Sequence, residues 1–179
     1  MDVHLRPPET SDAEVHYRYP PQASIARMYG AAAGALPKPT MARSSEWLAW
    51  IMGQSYGAMM DVDGEPVGHV RLHSLSEADR KARLAIGLFS EAMLGRGVGR
   101  RAITLCLDHA FGPMGLHRVD LRVLAFNTRA IRCYLACGFH HEGTEREAAL
   151  IDGVWHDDWI MGILAHEHQR RAATGIVNI

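Results

Sequence analysis

The chain has 179 residues, 47% hydrophobic and 22% charged, with a formal net charge of −1. That is about one globular domain with room for a real core, and the balanced charge excludes a general nucleic-acid binder. No run of 18 apolar residues is long enough for a membrane span, the opening MDVHLRPPETSDAE lacks the apolar segment of a signal peptide, and three cysteines (Cys106, Cys133, Cys137) are too few for a disulfide framework, so a reduced cytoplasmic setting is expected.

Taken in chain order, VHLRPPE (3–9) reads as a short edge strand closed by two prolines, which cannot donate to a central ladder. Ser11 or Asp12 is placed to cap a helix that runs unevenly to about Gly30, with Pro20-Pro21 breaking or kinking it. Residues 31–40 are a loop. SSEWLAWIMGQ (44–54) carries a capping serine and then Trp47, Leu48, Ile51 and Met52 at helical spacing. A hairpin follows, with strands 56–61 and 66–75 around Asp63-Gly64, then a charged turn and the strand LAIGLF (84–89).

From Val98 the apolar residues keep helical spacing until Gly112-Pro113, and RVDLRVLAF (118–126) alternates as a strand. Asn127 or Thr128 caps a short helix that Gly138 stops as the left-handed residue, with Phe139 packing back. A second hairpin turns at Asp152-Gly153 and ends near Leu164. The order predicts a single α/β domain over 1–165: a mixed, mostly antiparallel sheet flanked by helices. Residues 166–179 form a tail that pattern alone does not assign.

EAMLGRGVGRRAI (91–103) carries the chemistry. Gly95, Gly97 and Gly99 alternate with Arg96, Val98 and Arg100, between a strand and a helix. The first N–H groups of a helix have no partner and its dipole is positive there, so glycines without a Cβ make an anion cradle. A phosphate or pyrophosphate is the expected partner. The dinucleotide fingerprint needs glycine where Arg100 stands, and the P-loop pattern is absent. A plain connecting turn is the bland alternative.

LAIGLFSEAMLGRGVGRRAI (84–103) resembles motif A of the GNAT acyltransferase superfamily, with Gly97 and Gly99 at its two small positions. LRVLAFNTRAIRCYLACGFHHEGTERE (121–147) resembles the downstream strand–Asn–helix–Tyr–Gly-Phe region. DGVWHDDWIMGIL (152–164) is similar to the closing hairpin of the ribosomal-protein alanine and spermidine-type branches. The likeness spans about residues 56–164, and Leu94 departs from it, standing where the family often has Gln or Arg.

The resemblance implies the GNAT fold, acetyl-CoA as cosubstrate, and a protein N-terminal or polyamine amine as acceptor. No nucleic-acid or membrane partner is expected, and strand edges at both ends are compatible with a homodimer. It further implies that Gly87, Leu88 and Phe89 bind the pantetheine and thioester carbonyl. Leu94, Gly95, Arg96, Gly97, Val98, Gly99 and Arg100 would hold the pyrophosphate, with Asn127, Ala130 and Tyr134 beside it. Tyr134 matches the general acid, and a phenol near pKa 10 suits a departing thiolate. Periodicity alone would make it a core residue, and Asn127 simply an N-cap.

No carboxylate lies in LAIGLF, and Arg83 stands where the family often carries a glutamate. His73, Glu77, Asp79 and Glu145 remain open as bases, and a non-catalytic acyl-CoA sensor remains the alternative reading. Asp157 and Asp158 hint at an acidic, polyamine-type site, or at a solvated hairpin. Cys133 and Cys137 read as small packing residues, the scattered histidines fit no metal spacing, and the tryptophans are expected in the core and the acceptor-site wall.

Overall fold

In the computed structural model, which describes residues 2–32, 34 and 36–174, the chain runs β1 (Val3–Arg6), α1 (Asp12–Arg18), α2 (Ala23–Arg27), α3 (Met41–Met52), β2 (Tyr56–Val62), β3 (Glu65–Ser76) and β4 (Lys81–Leu88). It continues through α4 (Val98–Phe111), β5 (Arg118–Leu124), α5 (Thr128–Cys137), β6 (His140–Ile151), β7 (Val154–Leu164) and α6 (Ala165–Ala173). The strands make one sheet in the order β1-β2-β3-β4-β5-β7-β6, and only β4 and β5 run parallel. This is the mixed, mostly antiparallel sheet the pattern predicts. Both hairpins turn where expected: Asp63-Gly64 and Asp152-Gly153 take positive φ at both central positions, the handedness that matches strand twist in a two-residue turn.

The two faces of the sheet are filled from different parts of the chain. Val70 and Leu72 of β3 and Leu84 of β4 are buried with Ile103, Cys106 and Leu107 of α4. The other face takes α3, whose Leu48 and Ile51 are buried. Gly57 is what lets α3 come down onto β2, since a Cβ there would lie 2.4 Å from the Ile51 carbonyl oxygen. Arg6 ties α1 to the sheet edge, with Nη1 and Nη2 donating to Asp12 at 2.8 and 2.6 Å and Nε to Asp61 at 2.8 Å.

Pro20-Pro21 breaks the uneven helix into α1 and α2, one of the two outcomes expected. Two elements differ from the sequence reading. α3 starts at Met41, where Thr40 Oγ1 accepts the Arg43 N–H at 3.3 Å; Ser44 is buried inside the helix and pairs with His16 at 3.0 Å. The unassigned tail supplies α6, held by Arg171 Nη2 donating to Ala136 O at 2.8 Å and by a 2.7 Å contact from His168 Nε2 to Asp108; residues 175–179 lie outside the described ones. Trp155 is 57% exposed and so belongs to no core.

The feature that matters for function is a split. β4 and β5 pair only from Lys81–Arg83 to Arg118–Asp120. Beyond Arg83 the two strands diverge, while β4 stays bonded to β3 and β5 to β7. A wedge therefore opens in the middle of the sheet, and the glycine turn lies just past its β4 side.

Candidate active site

Along β4 the backbone groups alternate between β3 and the split. Phe89 donates its N–H to Val67 O at 2.8 Å, so it faces β3. Ile86 has the opposite parity, and its carbonyl oxygen accepts the Tyr29 hydroxyl at 2.6 Å. By the same alternation the Leu88 N–H turns into the wedge. Of the strand end Gly87–Phe89, one amide thus faces the gap. The Phe89 ring lies elsewhere, edge-on to His16 at 5.6 Å and Trp47 at 5.5 Å. Gly87 lies against that same cluster, because a Cβ there would be 2.7 Å from His69 Cε1.

Past Leu88 the chain makes a short 3-10 turn at Glu91–Met93, capped by Ser90 Oγ accepting the Ala92 N–H at 3.2 Å. Gln22 Oε1 accepts the Glu91 N–H at 2.7 Å and Ser24 bonds to Glu91, which clasps the α2 segment onto the cavity mouth. Gly95 and Gly97 follow at φ +72° and +81°, and a Cβ at either would meet nothing within 4 Å. Gly97 is the N-cap of α4, with no side chain to satisfy the first amides. Arg101 N–H returns to Gly97 O at 3.0 Å, which leaves the amides of Val98, Gly99 and Arg100 as the orphan donors of the helix start. Open space above unpaired donors at a helix N-terminus is the geometry that takes a phosphate.

Across the wedge, Asn127 Oδ1 accepts the Ala130 N–H at 3.2 Å and caps α5. Tyr134 lies one face further along, 8% exposed and 5.9 Å edge-to-face from Phe139. Burial raises the Tyr134 phenol well above its ordinary value, with nearby Tyr29, Cys133 and Cys137 adding to it, so at neutral pH the hydroxyl keeps its proton.

A single cavity of about 600 Å³ joins these parts. Of the residues singled out in the sequence, Leu88, Leu94, Gly95, Gly97, Val98, Gly99, Arg100, Asn127, Ala130 and Tyr134 line it. Gly87 and Phe89 stand behind the strand, and the Arg96 side chain is exposed outside it. The sequence reading did not find Ile25, Met28 and Tyr29, which wall the cavity from α2 and the turn after it, nor Arg129 and Arg132; Asp158, which it did single out, also lines the cavity. The first three come from a segment distant in sequence that no local pattern marks, whereas Arg129 and Arg132 flank Ala130 on α5.

The open base candidates do not converge on the cavity. His73 Nδ1 lies 3.0 Å from Ser74 Oγ, and burial lowers its pKa. Asp79 is held by Lys81 and Ser76, and Glu145 pairs with Arg122. The acidic hairpin is also committed: Asp157 accepts the Glu147 N–H at 2.8 Å, and Asp158 pairs with Arg122 at 3.1 Å.

A family model described as the acetyltransferase (GNAT) domain matches residues 2–140. The spermidine N(1)-acetyltransferase of Escherichia coli K12 is 30% identical over 110 residues, 62% of this chain and 59% of that protein. That of Vibrio cholerae serotype O1 is 31% identical over 112 residues, 63% and 64% of the two chains. The chain thus spans about three fifths of the length of these curated relatives. Among solved structures, a spermidine N-acetyltransferase from Vibrio cholerae in complex with CoA and spermine has a TM-score of 0.78 at 24% identity, covering 93% of this chain and 98% of that one. Mycobacterium smegmatis RimJ in complex with CoA-disulfide has a TM-score of 0.81 at 23% identity, covering 97% and 89%. At these identities the likeness is one of fold.

Proposed function

This chain belongs to the GNAT acetyltransferase family, and on that premise we propose that it moves the acetyl group of acetyl-CoA to a primary amine by direct attack in a ternary complex. The observation that carries this reading is one cavity running from the open glycines at the start of α4, past the split strand, to a buried phenol.

Each part has a task in such a transfer. The amides of Val98, Gly99 and Arg100 would bind the diphosphate of the coenzyme, with Arg100 adding charge. Leu94, standing where the family often has Gln or Arg, leaves that grip to the main chain. The Leu88 N–H, aimed into the wedge, would donate to the thioester oxygen as negative charge builds on it. A neutral amine attacks the carbonyl carbon, the new C–N bond forms, and the C–S bond breaks. Tyr134 would give its proton to the departing sulfur and regain one from solvent, while the nitrogen loses its extra proton to water.

Incubating the protein with acetyl-CoA and a panel of primary amines, with thiol release and product mass both followed, tests the reading. Release matched by a product heavier by one acetyl group is the expected result. Tight acetyl-CoA binding with no product from any amine would make the protein a non-catalytic acyl-CoA sensor instead.

A further inference from the structure

The face of the sheet opposite α4 holds an unsatisfied cation. Arg71 and His69 lie two residues apart on β3, so their side chains leave the same face, about 7 Å apart along the strand. Their strand neighbours Val70 and Leu72 pack toward α4, which puts Arg71 on the α3 side. There its guanidinium carbon stacks 4.3 Å from the Trp50 ring centroid, and the His69 ring stands edge-on to the same tryptophan at 6.5 Å.

Arg71 is half-buried, and its Nε is sealed from water with no acceptor. Among the described residues no carboxylate pairs with it. Arg6, Arg83, Arg118 and Arg122 all have one. Burial lowers the Arg71 pKa, with Tyr29 opposing the shift. A partly desolvated cation without a counter-charge is costly unless an anion arrives to meet it.

Position says which anion. The diphosphate cradle belongs to α4, on the far side of the sheet, so the coenzyme enters from there. The second substrate must reach the thioester through the wedge from the α3 side. Tyr29 marks that route: its hydroxyl sits on Ile86 O inside the wedge, and it lies close enough to Arg71 for their charges to interact. Of the hairpin carboxylates, Asp158 lines the cavity and shares Arg122 with Glu145, while Asp157 stands outside the lining and accepts the Glu147 N–H. His69 adds no negative charge, and Arg83 is matched by Asp120 at 2.7 Å. Beside Tyr29 on the α3 face, the charge without a counter-ion among the described residues is that of Arg71.

We propose that the acceptor is a primary amine that carries a carboxylate, and that Arg71, held over the Trp50 ring, binds that carboxylate. The inference rests on the acetyltransferase reading and names its substrate class. A planar, stacked guanidinium presents its donors in a fixed fork, the arrangement that suits a carboxylate.

The test compares amines matched in size and different in charge. One pair is 4-aminobutyrate against n-butylamine. A second, for a peptide N-terminus, is C-terminally amidated glycyl-glutamate against glycyl-glutamine, and spermidine is the polycation arm. kcat/KM should favour the anionic member by roughly tenfold to a hundredfold, and whichever pair shows it separates a free amino acid from a peptide. In Arg71→Met, which keeps the stem against Trp50, that ratio should fall towards one through KM, with acetyl-CoA affinity held. Arg71→Lys should recover part of it. Equal use of neutral amines or spermidine by the wild type, or an unchanged ratio in Arg71→Met, overturns the proposal.

Calorimetry of 4-aminobutyrate and n-butylamine on the protein–CoA complex separates the two readings. Charge-selective binding without acetyl transfer would keep the anion site and remove the catalysis. Transfer without selectivity would do the reverse.

Discussion

Tyr134 shows why burial at a single residue decides chemistry. Two roles compete for it, core filler and proton donor, and its placement serves both: it packs against Phe139 and lines the cavity. A buried phenol whose pKa is pushed up keeps its proton at neutral pH, and only the protonated form can donate to a thiolate. Tyr134→Phe keeps the ring and removes the proton. The expected loss is about 10²-fold or more in kcat, with the acetyl-CoA dissociation constant unchanged by calorimetry. Parallel loss of turnover and affinity would make the residue structural. The sign of its shift adds a second expectation. The acid form persists as pH rises past the ordinary phenol value near 10, so Tyr134 should impose no falling limb on the pH–rate profile up to about that pH.

At the level of elements, the α4 N-terminus is where sequence and geometry agree most closely. Gly97 has φ +81° with open space above it, so a valine there would carry both backbone strain and bulk into the cradle. A β-branched residue held in the left-handed region costs about 1–2 kcal/mol. Gly97→Val should therefore weaken acetyl-CoA binding by more than tenfold in a calorimetric titration. Unchanged affinity would mean that the diphosphate lies elsewhere. This element was legible because its signal is local: three glycines, a strand before and an apolar period after. The same is true of both Asp-Gly hairpins and of the Asn127 and Gly138 caps of α5.

What the sequence left dark depends on register and long-range contact. His69 lies opposite Gly87 only because β3 and β4 pair in one particular register. Tyr29 reaches the Ile86 carbonyl from 57 residues away. Ser44 looked like a cap and is a buried partner of His16, because Thr40 after Pro39 had already started the helix. The carboxylates at the closing hairpin looked like a site and are bonded to the neighbouring strands, Asp157 to Glu147 of β6 and Asp158 to Arg122 of β5, a distinction no spacing carries.

For the whole molecule, the N-terminal segment has to stay fixed to the sheet, since α1 packs on α3 through His16, Ser44 and Trp47 and α2 walls the cavity. Arg6 is the main tie, bridging Asp12 of α1 and Asp61 of β2. Asp12 is 1% exposed. Burial alone would raise its pKa, but the Arg6 hydrogen bonds and the Glu9 N–H pull it below the usual carboxylate value. A depressed folded pKa stabilises the fold above the unfolded value near 4, and that stability is lost as pH falls through the folded one. Asp12→Asn leaves a shape-matched side chain and a weakened tie, for a loss of about 2–3 kcal/mol at pH 7. For a chain of this size that lowers Tm by roughly 4–12 °C. The gap between wild type and variant, followed by urea unfolding, should be full at pH 7 and shrink below about pH 4 as the wild-type carboxylate takes up its proton. A gap that stayed constant into acid would show that the tie works through shape rather than charge, and that the α1–α3 layer is not held by the Arg6–Asp12 ion pair.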